Sequence, residues 1–169
     1  MAFAHGLLSN FYCYTREYDK AIAEGERAVA LNPSGAQPNN FYALTLILDG
    51  RPEEAIPFCQ KAVRLNPIGP APFFLNYGHA LCLTGRFDEA ILAYRKALQR
   101  SPHHIMAHVY LSATYSLMGR EKEAQAEAEE VLRINPKYSL EYFIKINPYK
   151  DHSSLEKYFI KPLRKAGLK

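Results

Sequence analysis

Apolar and small residues recur along this chain at helical spacing, and the whole pattern repeats. GRFDEAILAYRKALQRSPHH, residues 85 to 104, reads as an amphipathic helix that a proline terminates. The same small, apolar and proline positions return in GRPEEAIPFCQKAVRLNPIG at 50 to 69 and in GREKEAQAEAEEVLRINPKY at 119 to 138. The helix-stopping prolines Pro33, Pro67, Pro102 and Pro136 stand 34, 35 and 34 residues apart. Ala21, Ala55, Ala90 and Ala124 lie twelve residues before their proline, and Ala28, Ala62, Ala97 and Val131 lie five before it. Small side chains at such fixed points predict two helices crossing closely. Gly50, Gly85 and Gly119, seventeen before their prolines, stand where a left-handed residue ends one helix ahead of the next. Each unit is therefore predicted to be helix, tight turn, helix, proline stop, and a fixed period of this size predicts a stacked array.

These positions resemble the tetratricopeptide repeat, with units at 2–35, 36–69, 71–104 and 105–138 and one inserted residue near Pro70. The third unit is nearest to the family pattern, carrying Phe74, Tyr77, Gly78, Leu81, Ala90, Tyr94, Ala97 and Pro102. The first departs most: Arg16 replaces the mid-unit glycine, and Gly25 stands where an aromatic is usual. The resemblance implies an all-α, right-handed solenoid of antiparallel helix pairs whose first helices line a concave groove. Carried over to this chain, the groove positions are Asn10, Tyr14, Asn40, Leu44, Ile47, Leu75, His79, Leu83, Val109 and Ser116. Within each helix they stand three or four apart and so share a face.

In this family the best-defined ligand is the acidic C-terminal tail of a chaperone, held by Lys, Asn and Arg side chains. Asn10 matches one such asparagine, but Gly6, Phe41, Met106 and Tyr110 occupy the remaining positions of that clamp. A carboxylate stripped of water with no cation beside it is several kcal/mol worse off, so that ligand is rejected. A peptide or partner segment of neutral to apolar character fits better, its backbone held by Asn10 and Asn40. Apolar, uncharged surface of this extent marks a contact site, for a partner or for a neighbouring segment.

Residues 139–169 break the period. This segment starts with a short helical piece, breaks at Asn147 and Pro148, and restarts after Asp151 or Ser153, both good N-caps. Leu155, Tyr158, Phe159, Pro162, Leu163 and Ala166 then recur at helical spacing, with Lys157, Lys161, Arg164 and Lys165 elsewhere around the helix. The end of a solenoid needs a cover with a polar exterior, and the segment is read as that cap. An amphipathic basic helix could instead lie on an anionic membrane, a reading that Pro162 weakens. NPYKDHSSLEKYFIKPLRKAGLK also resembles the closing segment of repeat-bearing bacterial class III adenylate and guanylate cyclases. That resemblance implies a regulatory or assembly module of a signalling enzyme.

Composition changes this picture little. The chain has 169 residues and a formal net charge of +4, and 48% of its residues are hydrophobic, ordinary for a globular protein. Residues 145–169 carry seven Lys or Arg against two acids, a net of +5, so the body sums to −1. Basic residues are not spread over a face among stacking aromatics, so no nucleic-acid partner is expected. No apolar run approaches the roughly eighteen residues of a membrane span, and Met1 opens no leader peptide, so a cytoplasmic location is expected. Cys13, Cys59 and Cys82 match no zinc or redox spacing and read as reduced packing residues.

No catalytic, cofactor or metal site is expected. His104 and His108 have the spacing of a shared metal pair but no acid follows at ligand spacing. Glu53 with Glu54, and Glu129 with Glu130, read as a solvated helix face. There is no glycine-rich phosphate loop and no nucleophile elbow. The expected function is a non-enzymatic interaction module. Because residue 2 already holds the first position of a repeat and Phe3, Leu7, Leu8, Phe11 and Tyr12 are apolar, a longer polypeptide is expected upstream. Self-association through this first helix, giving a homodimer, is the alternative function.

Overall fold

A computed structural model describes all 169 residues and contains helices only. Eight of them form four antiparallel pairs: α1 (Ala2–Tyr14) with α2 (Tyr18–Leu31), α3 (Ala36–Leu48) with α4 (Pro52–Leu65), α5 (Ala71–Leu83) with α6 (Phe87–Arg100), and α7 (Ile105–Leu117) with α8 (Glu121–Ile134). Both helices of the first pair pack against α3; from there on the first helix of each pair rests on both helices of the pair before it, giving a solenoid. The crossings are close because the residues there are small. Ala21, Ala28, Ala55, Ala62, Ala90 and Ala97 have no exposed surface at all. At Gly78 a Cβ would stand 2.5 Å from Cε1 of Tyr94, the aromatic that fills the same crossing.

All four tight turns close in the same way. The amide of Gly50 donates to the Ile47 carbonyl and that of Arg51 to the Leu46 carbonyl, satisfying two carbonyls that the helix end leaves free. The same pair of bonds recurs at Gly85 and at Gly119. Such a turn needs a left-handed residue, and these glycines have φ of 87°, 78° and 72°. In the first unit Arg16 occupies this position with φ 62° and makes the same two-bond closure with Glu17. The departure noted in the sequence therefore changes the residue and keeps the turn. The second helices begin with acids in their first turn, such as Glu53, Asp88 and Glu121, where the helix dipole favours negative charge.

Burial differs sharply along the row of first helices. Ten of thirteen residues are buried in α3, eleven in α5 and ten in α7, but only Gly6, Ser9 and Cys13 in α1. Helices apolar all round need cover on every side. For α3, α5 and α7 part of that cover comes from the tail.

After α8 the chain forms α9 (Leu140–Ile146) and then crosses back to the first two pairs. Arg16 donates to the Asn147 carbonyl at 3.4 Å, and the Tyr18 hydroxyl donates to the Pro148 carbonyl at 3.0 Å. The Lys150 amide donates to the Leu48 carbonyl at 2.9 Å, and its ammonium lies 2.6 Å from the Asp49 carboxylate. The chain then turns around at Asp151, which caps the next helix by accepting from the amides of Ser153 and Ser154. That helix comprises α10 (His152–Leu155), a π turn (Glu156–Ile160) and α11 (Lys161–Lys165), the π turn and α11 packing on α7. Pro162 brings no N–H and crowds the carbonyl four residues back. The wider turn, in which the Lys161 amide reaches the Glu156 carbonyl, stands directly before it.

Leu155, Phe159, Ile160, Leu163 and Leu168 are at most 2% exposed, while Lys157, Lys161, Arg164 and Lys165 face solvent. The Lys169 carbonyl accepts from the Leu140 amide at 2.8 Å, so the tail closes on itself. The tail thus does more than cover the last pair: it runs the length of the array and back. The apolar face of its final helix is spent inside the molecule, which removes the surface that a membrane-lying helix would need. No helix is long and apolar enough to cross a membrane.

Candidate functional site

The tail divides the concave surface. Its residues Phe143, Ile146, Asn147, Pro148 and Tyr149 form one wall of a cleft of about 480 Å³, and the first helices of the four pairs form the rest. None of its eighteen lining residues is Asp, Glu, Lys or Arg. The volume lies in the ordinary range for clefts that enclose a ligand or a few side chains.

Six of the ten sequence-derived groove residues line this cleft: Asn10, Tyr14, Asn40, Leu44, Leu75 and His79. Ile47 and Leu83 lie apart from it, at a second, smaller hollow whose other lining residues include Tyr149, Asp151, Ser153 and Tyr158 of the tail. Val109 is fully buried and Ser116 nearly so, and neither reaches the cleft. The uncharged surface, expected to seat a partner or a neighbouring segment, is therefore partly occupied by the protein's own C-terminal segment. The physical reason is the apolar surface of that segment, which finds the uncharged inner face of α3, α5 and α7.

Polar groups punctuate the cleft. The Asn76 amide donates to the Asn40 carbonyl oxygen at 3.1 Å, and the Thr45 hydroxyl donates to that of Asn10 at 3.2 Å. His79 sits among aromatics, its ring centroid 4.5 Å from Tyr110 and 5.3 Å from both Tyr149 and Phe159. Its Nε2 has no hydrogen-bond partner, and neither has the Tyr149 hydroxyl. Burial pushes the imidazole down to about 3, because an imidazolium there would lose its water and meet no anion. The cleft is uncharged at neutral pH.

Sequence reasoning missed Asn76 and the tail residues of the wall. The signal was present in EYFIKINPY, where Phe143, Ile146 and Tyr149 are more apolar than a linker requires, although nothing in the period says where such a segment packs. The other residues weighed for chemistry are otherwise engaged. His108 pairs with Glu127 at 2.6 Å and with the Pro102 carbonyl at 3.1 Å, and the glutamate contact holds its pKa above the usual value. His104 is pushed the other way by burial. Cys13, Cys59 and Cys82 are free and buried, and burial raises their thiols to about 11, 12 and 11.

Known proteins give the fold a place. The chain is 27% identical over 112 residues to the small glutamine-rich tetratricopeptide repeat-containing protein 2 of Mycosarcoma maydis, covering 66% of this chain and 31% of that protein. It is 29% identical over 133 residues to the TPR repeat-containing protein YpiA of Bacillus subtilis, covering 79% and 30%. The chain thus spans about a third of the length of these relatives. Among solved structures, PilW, a type IV pilus biogenesis factor, superimposes with a TM-score of 0.75 at 23% identity over 96% of this chain and 81% of its own. YrrB, described as having an unusual peptide-binding site, superimposes with a TM-score of 0.69 at 23% identity over 86% and 74%. Two tetratricopeptide-repeat family models match residues 12–70 and 81–142, together well over half of the sequence. With four helix pairs at the family's spacing, matched by both models, the chain belongs to the tetratricopeptide-repeat family.

Proposed function

We propose that this chain is a non-enzymatic interaction module whose cleft takes a short, uncharged segment of a partner protein. Proteins of this family mediate protein–protein interaction in general; the finer reading rests on the cleft itself. The observation that carries it is the lining: eighteen residues without one charged side chain, in a space that closes around a ligand on two sides. Apolar side chains of a partner would settle against Leu44, Leu75 and Met106. Its backbone groups would meet the amides of Asn10, Asn40 and Asn76. An acidic tail would lose its water there and gain no cation. The peptide-binding site named for YrrB lends support by analogy of fold only.

Selection from a random peptide library displayed on phage tests this. Uncharged sequences are expected to be enriched, and Leu44→Asp, which places a carboxylate at a half-buried position of the cleft, is expected to abolish their binding. Enrichment of acidic sequences, or undiminished binding to the aspartate variant, would refute the reading.

A second reading is self-association through α1, favoured by Phe3, Leu7 and Phe11, which are 55%, 48% and 58% exposed. Attachment to a cyclase-type signalling enzyme in the cytoplasm is supported only by the resemblance of residues 147–169, and the reading frame upstream of Met1 tests it.

A further inference from the structure

Asn40 and Asn76 join the second and third pairs inside the cleft, and neither side chain has a hydrogen-bond partner other than its neighbour. One shared bond between two amides leaves one donor and one acceptor unused, here Nδ2 of Asn40 and Oδ1 of Asn76. Turning both amides over exchanges the two roles and leaves the same inventory. The side chains are deeply set, 3% and 6% exposed, yet neither unused atom is sealed off from the cleft.

The fold does not ask for amides here. In the register of the repeats, the place of Asn40 and Asn76 is taken between the first and second pairs by Gly6, which lies directly against the Phe41 ring, and between the third and fourth by Leu75 and Tyr110. An apolar pair of the same shape at 40 and 76 would hold the array equally well, because the one bond gained is offset by the water that two amides lose. What the pair leaves unused defines a ligand instead. A carboxylate offers acceptors only and would face the Asn76 oxygen; an ammonium or guanidinium offers donors only and would face the Asn40 nitrogen. Neither charge would find a counter-charge among the eighteen lining residues. A carboxamide carries donor and acceptor on one neutral group and satisfies both.

Depth decides where that carboxamide comes from. A main-chain amide is flanked by two Cα atoms with their side chains, and a segment resting on half-buried Leu44 and Met106 keeps its backbone above groups set this far down. The end of a side chain can reach them. We infer that Asn40 and Asn76 form a subsite for the side-chain carboxamide of an Asn or Gln in the partner segment, its oxygen accepting from Asn40 and its nitrogen donating to Asn76. This rests on the cleft reading above and refines it, leaving to backbone groups the less deeply set Asn10.

Peptides selected from the display library on the full chain are expected to share a Gln or Asn at one fixed position. In a synthetic peptide from that set, replacing this residue by its isosteric acid is expected to weaken binding by more than about a hundredfold, and replacing it by Leu by more than about tenfold. Asn40→Leu combined with Asn76→Leu is expected to keep the helical circular dichroism and to erase the difference between the amide and Leu peptides. A second measurement needs no variant: the side-chain amide resonances of Asn40 and Asn76 in the isotopically labelled protein are expected to shift when the amide peptide is added, and unshifted resonances overturn the inference. An amide preference that survives in the folded double variant overturns the assignment to these two residues. Uncharged peptides with no shared Asn or Gln, or an amide that Leu replaces without loss, overturn the side-chain subsite alone and leave cleft binding intact. Enrichment of acidic sequences, or of none, overturns both.

Discussion

His79 holds an imidazole in an aromatic cage with one nitrogen unpartnered, and the consequence is a dependence of stability on pH. Its folded pKa of about 3 lies below the ordinary 6.5. The unfolded chain therefore binds a proton that the folded chain refuses, and the stability this residue confers is complete above pH 6.5 and is lost as pH falls toward 3. Between those limits the folding equilibrium is expected to weaken by about tenfold per pH unit. Urea unfolding at a series of pH values checks this, and His79→Leu should flatten that part of the profile. The glutamate-paired His108 works in the opposite sense: its raised pKa adds stability that is full below pH 6.5 and disappears as pH rises through the folded value. At this scale the sequence was informative about position and silent about state. The repeat register placed His79 in the groove, but the loss of its water follows from Tyr149 and Phe159, which are 70 and 80 residues further along.

Among the elements, the tight turns show how little a repeat tolerates and how it adapts. Three are closed by glycine, while the first holds Arg16 at φ 62°, where a side chain costs about 1–2 kcal/mol. Arg16→Gly relieves that strain, at the loss of a long bond to the Asn147 carbonyl and with some gain in unfolded-state entropy. A net stabilisation of up to about 1 kcal/mol is expected in urea unfolding. The reverse change, Gly85→Arg in an otherwise open turn, should destabilise by about 1–2 kcal/mol. Helix boundaries were legible because their causes are local: small residues at crossings, glycine at the turn, proline at the stop. The path of the tail was not, because periodicity reports contacts between neighbouring units and this segment touches residues about 130 positions away. The break at Asn147 and Pro148 and the cap at Asp151 could be read from the sequence; the direction of the chain between them could not.

For the molecule as a whole, the tail alters how the array should unfold. A solenoid stabilised only by neighbouring contacts frays from its ends and melts in stages. Here Arg16 and Tyr18 in the first turn are tied to Asn147 and Pro148, beyond the last pair. The intact chain is therefore expected to unfold in one transition seen alike by far-ultraviolet dichroism and tyrosine fluorescence. Removal of residues 147–169 should separate the two signals, since the first pair loses its tether and α7 its cover; coincident transitions in the truncated chain would show that the tether contributes nothing to cooperativity.

Those same ties make the tail a gauge of the solenoid's length. Its outward run reaches Leu48 and Asp49, and its return ends beside Glu121 and against Leu140, a span set by four stacked hairpins. A hairpin gained or lost by duplication or deletion would leave the strap too short or too slack to find those partners. Repeat number, ordinarily free to drift in proteins of this architecture, is thereby coupled in this chain to a segment that lies outside the repeats.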